Sequence, residues 1–405
     1  MLTPEKQIEM IMRGTEIVIN EKELKAKLYK AYNNDKPMII KLGLDPSSPN
    51  LHLGHTVVLR KARLFQELGH SINIIIGDFT GRIGDPTGKS KGRMQLSEEE
   101  VTDNAKTYCQ QIFKVLDEKK TIVHFNHSWL NKLKLADVLE MSTVATVAKM
   151  LERNDFKNRY DNNLPIGIHE FFYPLLQAYD SHVLGADVEL GGVDQLFNIL
   201  LGRDLQKKYG QEEQVVLLMP LLEGIDGVEK MSKSTGNYIG INDKPEVMFK
   251  KIMEIPDSLI ERYYILLTDV SNNSIKEKIT RLKIGENPKN IKYELACDVV
   301  SLYYNYKNVQ KAEKYFRQAF TNKSIPDNIP VLQLQGTDKT IADFIEEFVS
   351  MNLVKSKSDF KRLVLQNGIQ LNSKNITLED YNVKLKNNDV IKIGKKRFVR
   401  FFYEL

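Results

Sequence analysis

Only two cysteines, Cys109 and Cys297, occur in 405 residues, and they stand far apart in no paired spacing. Neither a disulfide framework nor a cysteine-ligated zinc site is expected, and a reducing compartment is favoured. Long apolar runs are also missing. The longest, such as Val-Val-Leu-Leu-Met-Pro-Leu-Leu at 215–222, are too short to span a bilayer. The first thirty residues are charged throughout, with no apolar stretch ahead of a small-residue cleavage site, so no signal peptide is expected. Charge of one sign is scarce as well. The 58 Lys and Arg against 53 Asp and Glu leave a formal +5, a weak indication of a polyanionic partner. There is no internal repeat and no low-complexity tract. The expectation is a soluble cytoplasmic protein, with two or three domains at roughly 150 residues each.

What is present begins as an α/β pattern. Residues 4–31 read as one amphipathic helix. Residues 36–45, KPMIIKLGLD, read as a buried strand bounded by Pro37 and by Asp45-Pro46. A helical spacing of Val58, Ala62, Phe65 and Leu68 follows and stops at Gly69. SINIIIGDFTG at 71–81 is the next buried strand. Strand, helix, strand is a crossover unit on a parallel sheet. Helical segments are expected at 98–118, 135–153 and 169–184. Strand signals return at ADVELGG (186–192) and QVVLLMPLL (214–222), with a helix from Gln195 to Tyr209 between them. After residue 240 the pattern is helical to about 320. Residues 321–340 carry Pro, Asn, Gly and Asp and read as a linker. Three domains are expected, at 1–224, 225–330 and 331–405.

Two histidines, His52 and His55, lie between the end of the first strand and the first turn of the next helix. They read as half a metal site, as a chance helix start, or as donors to a phosphate. Metal lacks the third ligand and the neighbouring Glu that catalytic zinc usually has, and His124-x-x-His127 lies in an unrelated segment. Position favours phosphate. Ligands of open α/β sheets bind at the carboxyl ends of strands, where a helix N-terminus offers free N–H groups to an anion. Gly54 between the rings would let a nucleotide approach the backbone. The stretch GRIGDPTGKSKG (81–92) imitates a phosphate loop. It leaves only three residues between Gly84 and Gly88 where that loop needs four, and Asp85 would repel a phosphate.

EKMSKSTGN at 229–237 follows the last strand signal. Alone it reads as an exposed polar loop or as a phosphate-binding loop. Tyr173, Gln177 and Asp180 fall at i, i+4 and i+7, on one helix face. They form either a solvated face or the polar wall of a pocket. GGVDQ (191–195) ends a strand. Its Asp194 reads as a helix cap or as a ligand for ribose hydroxyls, with glycines that permit close approach. Asp45 reads as an Asp-Pro turn or as part of the same site. From 355 to 405 there are 12 Lys and Arg against 5 Asp and Glu. Within that stretch, KSKSDFKRLVLQNG reads as a helix capped by Ser358 or Asp359 and stopped at Gly368. DVIKIGKKRFVRF reads as two strands with a basic tip.

His52-Leu53-Gly54-His55 and Lys230-Met231-Ser232-Lys233-Ser234 together resemble the two signatures of class I aminoacyl-tRNA synthetases. Further stretches, GDFTGRIGDPTGK, YPLLQAYD and GGVDQ, resemble the tyrosyl-tRNA synthetase family, so the likeness covers nearly the whole chain. The fold implied is α/β: a Rossmann-type parallel-sheet catalytic domain with a helical insertion, then an α-helical domain and a small α+β RNA-binding domain. The resemblance implies ATP-dependent activation of tyrosine and its transfer to tRNA(Tyr). His52, His55, Lys230 and Lys233 would act on the phosphates, with Gly54, Gly192, Asp194 and Ser232 completing the ATP site. Asp85, Tyr173 and Gln177 would bind the tyrosine ammonium, Gln195 would line the amino-acid site, Asp45 would lie near the amino group or the nucleotide, and Asp180 would accept from the phenol. Many family members have Tyr where this chain has Lys41, so Lys41 would either donate to the phenol oxygen or lie elsewhere. The family also implies Mg²⁺ arriving with ATP, no editing domain, a homodimer through the helical insertion, and a tail resembling the alpha-L RNA-binding motif. In that tail Lys357, Lys361, Arg362, Lys395, Lys396 and Arg397 would contact the RNA backbone. The rival readings are the related tryptophanyl enzyme and an RNA-binding protein that has lost catalysis.

Overall fold

The computed structural model describes residues 2–46, 49–86, 98–318, 329–334, 338–394 and 397–403. The chain divides into two units, Met1–Asn305 and Tyr306–Leu405. The first is organised on a six-stranded sheet. Its strands are β1 (Ile17–Ile19), β2 (Ile39–Leu44), β3 (Ser71–Ile76), β4 (Thr121–Phe125), β5 (Val188–Gly192) and β6 (Val215–Met219). Their order is β1-β6-β5-β2-β3-β4. β1 runs antiparallel to β6, and every other neighbouring pair is parallel. The central strands are buried, which is why they read as continuous apolar runs: all five residues of β6 are buried.

The helix Leu53–Glu67 joins β2 to β3, and Leu196–Lys208 joins β5 to β6. From β2 the chain therefore steps outward to β3 and β4, whereas from β5 it steps the other way to β6. The reversal opens a crevice at the carboxyl ends of β2 and β5, the usual ligand position of such sheets. Between β4 and β5 lies the helical insertion, which ends in the helix Ile168–Leu184. That helix stops at Gly185, whose φ of +59° is a conformation glycine adopts without strain. Buried Phe156, Leu175, Leu176, Leu201 and Leu205 pack the insertion against the sheet helices. Helices Pro245–Glu254, Ile260–Leu267, Asn272–Lys283 and Pro288–Ser301 complete the unit.

Several expectations change. Residues 4–31 are not one helix. They form Pro4–Met12, then β1, then Glu21–Asn33, because Gly14 takes a positive φ and the Asn20 side chain caps the second helix. The segment 98–118 stops its helix at Ile112, and β4 follows. The segment 135–153 breaks into Leu135–Ser142 and Val147–Met150, where Thr146 starts a new cap.

The second unit has the helix Tyr306–Phe316 and a five-stranded sheet. Its strands are β7 (Val331–Leu334), β8 (Ile369–Leu371), β9 (Lys374–Asn375), β10 (Val390–Ile393) and β11 (Arg397–Tyr403), in the order β7-β11-β10-β8-β9. The expected linker thus contributes a strand, β7, parallel to β11. Phe348, Phe360 and Phe401 are buried in its core with Ile391 and Val399. The helix Lys357–Leu365 is capped by Ser356, whose hydroxyl accepts from Asp359 N–H at 3.1 Å, two residues before the expected cap. Asn367 makes the left-handed turn ahead of Gly368. Lys395 and Lys396 lie outside the described residues.

Candidate active site

His52 precedes the helix Leu53–Glu67 at the mouth of the crevice. Its backbone N–H donates to His55 Nδ1 at 3.2 Å, which assigns the proton of neutral His55 to Nε2. The two rings lie 3.9 Å apart. A Cβ on Gly54 would fall 3.0 Å from the His52 ring, close enough that the ring would have to give slightly. Leu53 N–H donates to Ile239 O, and Ile241 N–H donates to Leu51 O. This strand-like pairing stitches the first signature to the segment that follows the second.

The second signature hangs from a buried prop, Asn237. Its Oδ1 accepts from Ser232 N–H and the Thr235 hydroxyl, and its Nδ2 donates to Asp226. Burial, with His55 and Lys233 nearby, lowers His52 to about 2. Burial and Lys233 lower His55 to about 4. Both rings are therefore neutral at pH 7 and act as N–H dipoles. Burial also lowers Lys233 to about 8. His52 Nδ1 is buried and lacks a partner among the described residues. Lys230 Nζ lies 3.4 Å from Asp194.

Deeper in, the carboxylates are held by donors. Asp45, just past β2, accepts from Thr80 Oγ1 at 2.9 Å and from Tyr173 Oη at 2.8 Å. A Cβ on Gly77 would strike both Asp45 and Thr80. Asp85 accepts from Gln195 Nε2 at 2.8 Å. Asn198 Nδ2 donates to the oxygens of Gln177 and Gln195. Arg153 donates in turn to Asn198 and lies 4.0 Å from Asp85. Asp180 is 3% exposed and accepts from Trp129 Nε1 at 2.8 Å and from Asn126 Nδ2 at 3.2 Å. Burial pushes its carboxyl up to about 7 despite Lys41 and these two donors.

His52, Gly54, His55, Asp45, Asp85, Tyr173, Gln177, Asp180, Gly192, Asp194, Gln195, Lys230, Ser232 and Lys233 line one cavity of about 500 Å³. Lys41 does not. It is 0% exposed and spends all three N–H donors on Glu189, Gln177 O and Ser181 Oγ. Donation to a phenol oxygen would require breaking one of these bonds. The sequence reading missed Thr80, Asn126, Trp129, Arg153, Asn198 and Asn237. Glu189 carried a readable signal, a lone acid in a buried parallel strand facing a lone lysine on the next. Among the described residues no group of three or more His, Cys, Asp or Glu could hold a metal, and no helix is long and apolar enough to cross a membrane.

In the second unit Lys357 pairs with Glu346 and Arg362 with Asp359. Lys361 is exposed, and Arg397 donates to Leu353 O.

The sequence model of tRNA synthetases class I (W and Y) matches residues 33–321. Tyrosine–tRNA ligase 2 of Clostridium acetobutylicum is 52% identical over 404 residues, covering 99% of each chain. The tyrosine–tRNA ligase of Carboxydothermus hydrogenoformans is 50% identical, covering 98% of each. In structure, a truncated mitochondrial tyrosyl-tRNA synthetase of Aspergillus nidulans is similar with a TM-score of 0.64 at 22% identity, over 79% of this chain and 95% of that one. Tyrosyl-tRNA synthetase of Archaeoglobus fulgidus, complexed with L-tyrosine, gives 0.61 at 23% identity, over 76% and 99%. These two speak for the fold, and the full-length sequence relatives for the family. The chain belongs to the tyrosine–tRNA ligases, within the class I tRNA synthetases of tryptophan and tyrosine.

Proposed function

We propose that this chain activates L-tyrosine with ATP, releasing pyrophosphate, and then transfers the tyrosyl group to the 3′ end of tRNA(Tyr). The observation that carries this reading is Asp180. It is a carboxyl buried at the end of a cavity whose mouth bears both signatures, and it accepts two N–H bonds and keeps lone pairs for a phenol O–H. A phenylalanine there would leave without a donor the buried lone pair that the phenol hydroxyl fills, which is how one hydroxyl is discriminated without editing.

The tyrosine carboxylate attacks the ATP α-phosphorus in line. The P–O bond to pyrophosphate breaks, and tyrosyl-adenylate remains. A tRNA 3′-terminal hydroxyl then attacks the acyl carbon, and AMP leaves. The protein contributes positioning and fixed dipoles rather than a covalent bond. Asp45, Asp85, Tyr173 and the oxygens of Gln177 and Gln195 surround the ammonium. His52 and His55 offer neutral N–H groups to the transferring phosphoryl. Asp194, beside Gly192, takes the ribose hydroxyls. Lys230, Ser232 and Lys233 hold the departing pyrophosphate. Mg²⁺ enters bound to ATP, as part of the substrate.

A homodimer through the helical insertion fits the apolar side chains there that face solvent. Leu135 is 75% exposed, Leu139 58%, Val147 64% and Ile168 76%. Residues 225–330 would serve as the anticodon-binding region. In the tail, Lys357, Lys361, Arg362, Lys395, Lys396 and Arg397 would meet the tRNA backbone.

ATP–pyrophosphate exchange with each of the twenty amino acids, without tRNA, tests the reading. Exchange with tyrosine alone is expected. Exchange with tryptophan instead, or with no amino acid, would overturn it.

A further inference from the structure

Lys41 on β2 and Glu189 on β5 are register partners on adjacent parallel strands, at the point where the sheet reverses direction. Their side chains form an ion pair of 2.9 Å at 0% and 1% exposure. Every polar position of the pair is used. Lys41 donates to Glu189 Oε1, to Gln177 O at 2.8 Å and to Ser181 Oγ at 2.6 Å. Glu189 accepts further from Gln177 Nε2, Ser181 Oγ and Gln214 Nε2. A buried ion pair is a poor means of adding stability, because desolvation offsets most of the attraction. Its retention here calls for another account.

The pair's contacts supply one. Gln177 and Ser181 are one turn apart on the helix that carries Asp180, so the pair grips that helix on either side of the proposed phenol acceptor. Two consequences follow for the pocket. Glu189 accepts only from the amide nitrogen of Gln177, which fixes the flip of that amide and leaves its oxygen for other donors. Lys41 is the cation that favours the charged form of Asp180, against burial and the weaker opposing influence of Glu189. Trp129 from the insertion and Asn126 from the end of β4 face Asp180 and favour the same form.

We propose that the buried Lys41–Glu189 pair is a positioning element for tyrosine selection. It keeps Asp180 a carboxylate that accepts the phenol hydroxyl, and it turns the Gln177 oxygen toward the ammonium. The proposal rests on the tyrosine reading above and deepens it. Neither residue touches substrate; both act through α-helical neighbours that do.

The test is kcat/KM for amino-acid-dependent ATP–pyrophosphate exchange against pH, with tyrosine and with phenylalanine. It uses the full chain, the double variant Lys41→Met with Glu189→Gln, and Glu189→Gln alone. In the unaltered enzyme the tyrosine profile falls as Asp180 gains its proton, and the phenylalanine profile lacks that limb. Loss of both charges moves the tyrosine limb toward alkaline pH by roughly one unit and lowers tyrosine-over-phenylalanine selectivity at pH 7 by about fivefold. Glu189→Gln alone moves the limb the opposite way, which keeps the test decisive where the double variant fails to fold. A tyrosine limb that stays in place in the folded variants, or equal losses for both amino acids, would overturn the proposal and leave a packing role. Absence of tyrosine-dependent exchange in the unaltered enzyme would instead sink the functional reading, and the proposal with it.

Discussion

Lys230 of the second signature rests 3.4 Å from Asp194, at the end of β5, in an ion pair half open to solvent. The proposed mechanism needs the two groups apart, the carboxylate on ribose and the ammonium on pyrophosphate. ATP therefore replaces an existing contact when it binds.

Lys230→Met removes a charge that acts as the pyrophosphate departs. Single-turnover tyrosine activation is expected to slow by about 10²-fold, the usual scale for losing one donor to developing charge. The dissociation constant for tyrosine is expected to stay within about twofold, since Lys230 lies at the mouth. An equal loss in tyrosine binding would contradict the assignment.

Lys233 is lowered to about 8 by burial, so it carries its charge below that pH and loses it above. The value of kcat/KM for ATP, which reports the free enzyme, is expected to fall as pH rises through 8. Lys233→Arg should remove this alkaline limb, because arginine keeps its charge. The histidines, lowered to about 2 and about 4, should give no limb between pH 6 and 8. A limb there that vanishes in His55→Gln would refute the neutral assignment.

Asp180 couples function to stability. Its folded pKa of about 7 lies above the ordinary 3.8, so the folded state holds the proton more tightly than the unfolded one. This group's contribution is favourable below about pH 4 and is lost as pH rises through 7. Asp180→Asn is expected to stabilise the substrate-free protein at pH 8 by roughly 2–4 kcal/mol and hardly at all at pH 4. Tyrosine exchange should collapse. Urea denaturation followed by circular dichroism at both pH values checks the sign.

Exposed Leu135 and Ile168 lie on the insertion, 75% and 76% open. Changing each to Asp places two charges in the proposed dimer face. Sedimentation equilibrium should show a shift from dimer to monomer, and a monomeric unaltered chain would discard the interface.

Lys361 and Arg362 test the tail. Alanine at both is expected to weaken tRNA binding without touching tyrosine exchange. The slope of log K against log salt should flatten by about 0.7–0.9 for each lost phosphate contact. An unchanged slope would place the tRNA elsewhere.

Legibility in the sequence followed burial. β2, β3, β5 and β6 stood out because buried parallel strands are continuous apolar runs. β4 escaped because its residues are at most half-buried and polar His124 interrupts it. β1 escaped because three β-branched residues were absorbed into a helical period. In the site, Tyr173, Gln177 and Asp180 were visible as one helical stripe. Thr80, Asn126 and Trp129 were not. They come from a short helix, a strand end and the insertion, and meet only when the chain closes. Lys41 showed its identity but not its direction, since a strand alternates faces and both faces of this one are covered.

Trp129 is the single tryptophan in the chain, and its indole N–H sits on Asp180. The molecule therefore has one indole emitter, placed against the carboxylate proposed to meet the phenol. Light absorbed by that ring reports on the surroundings of Asp180. Occupancy there can be followed without dye or label, using a fluorophore the chain already carries.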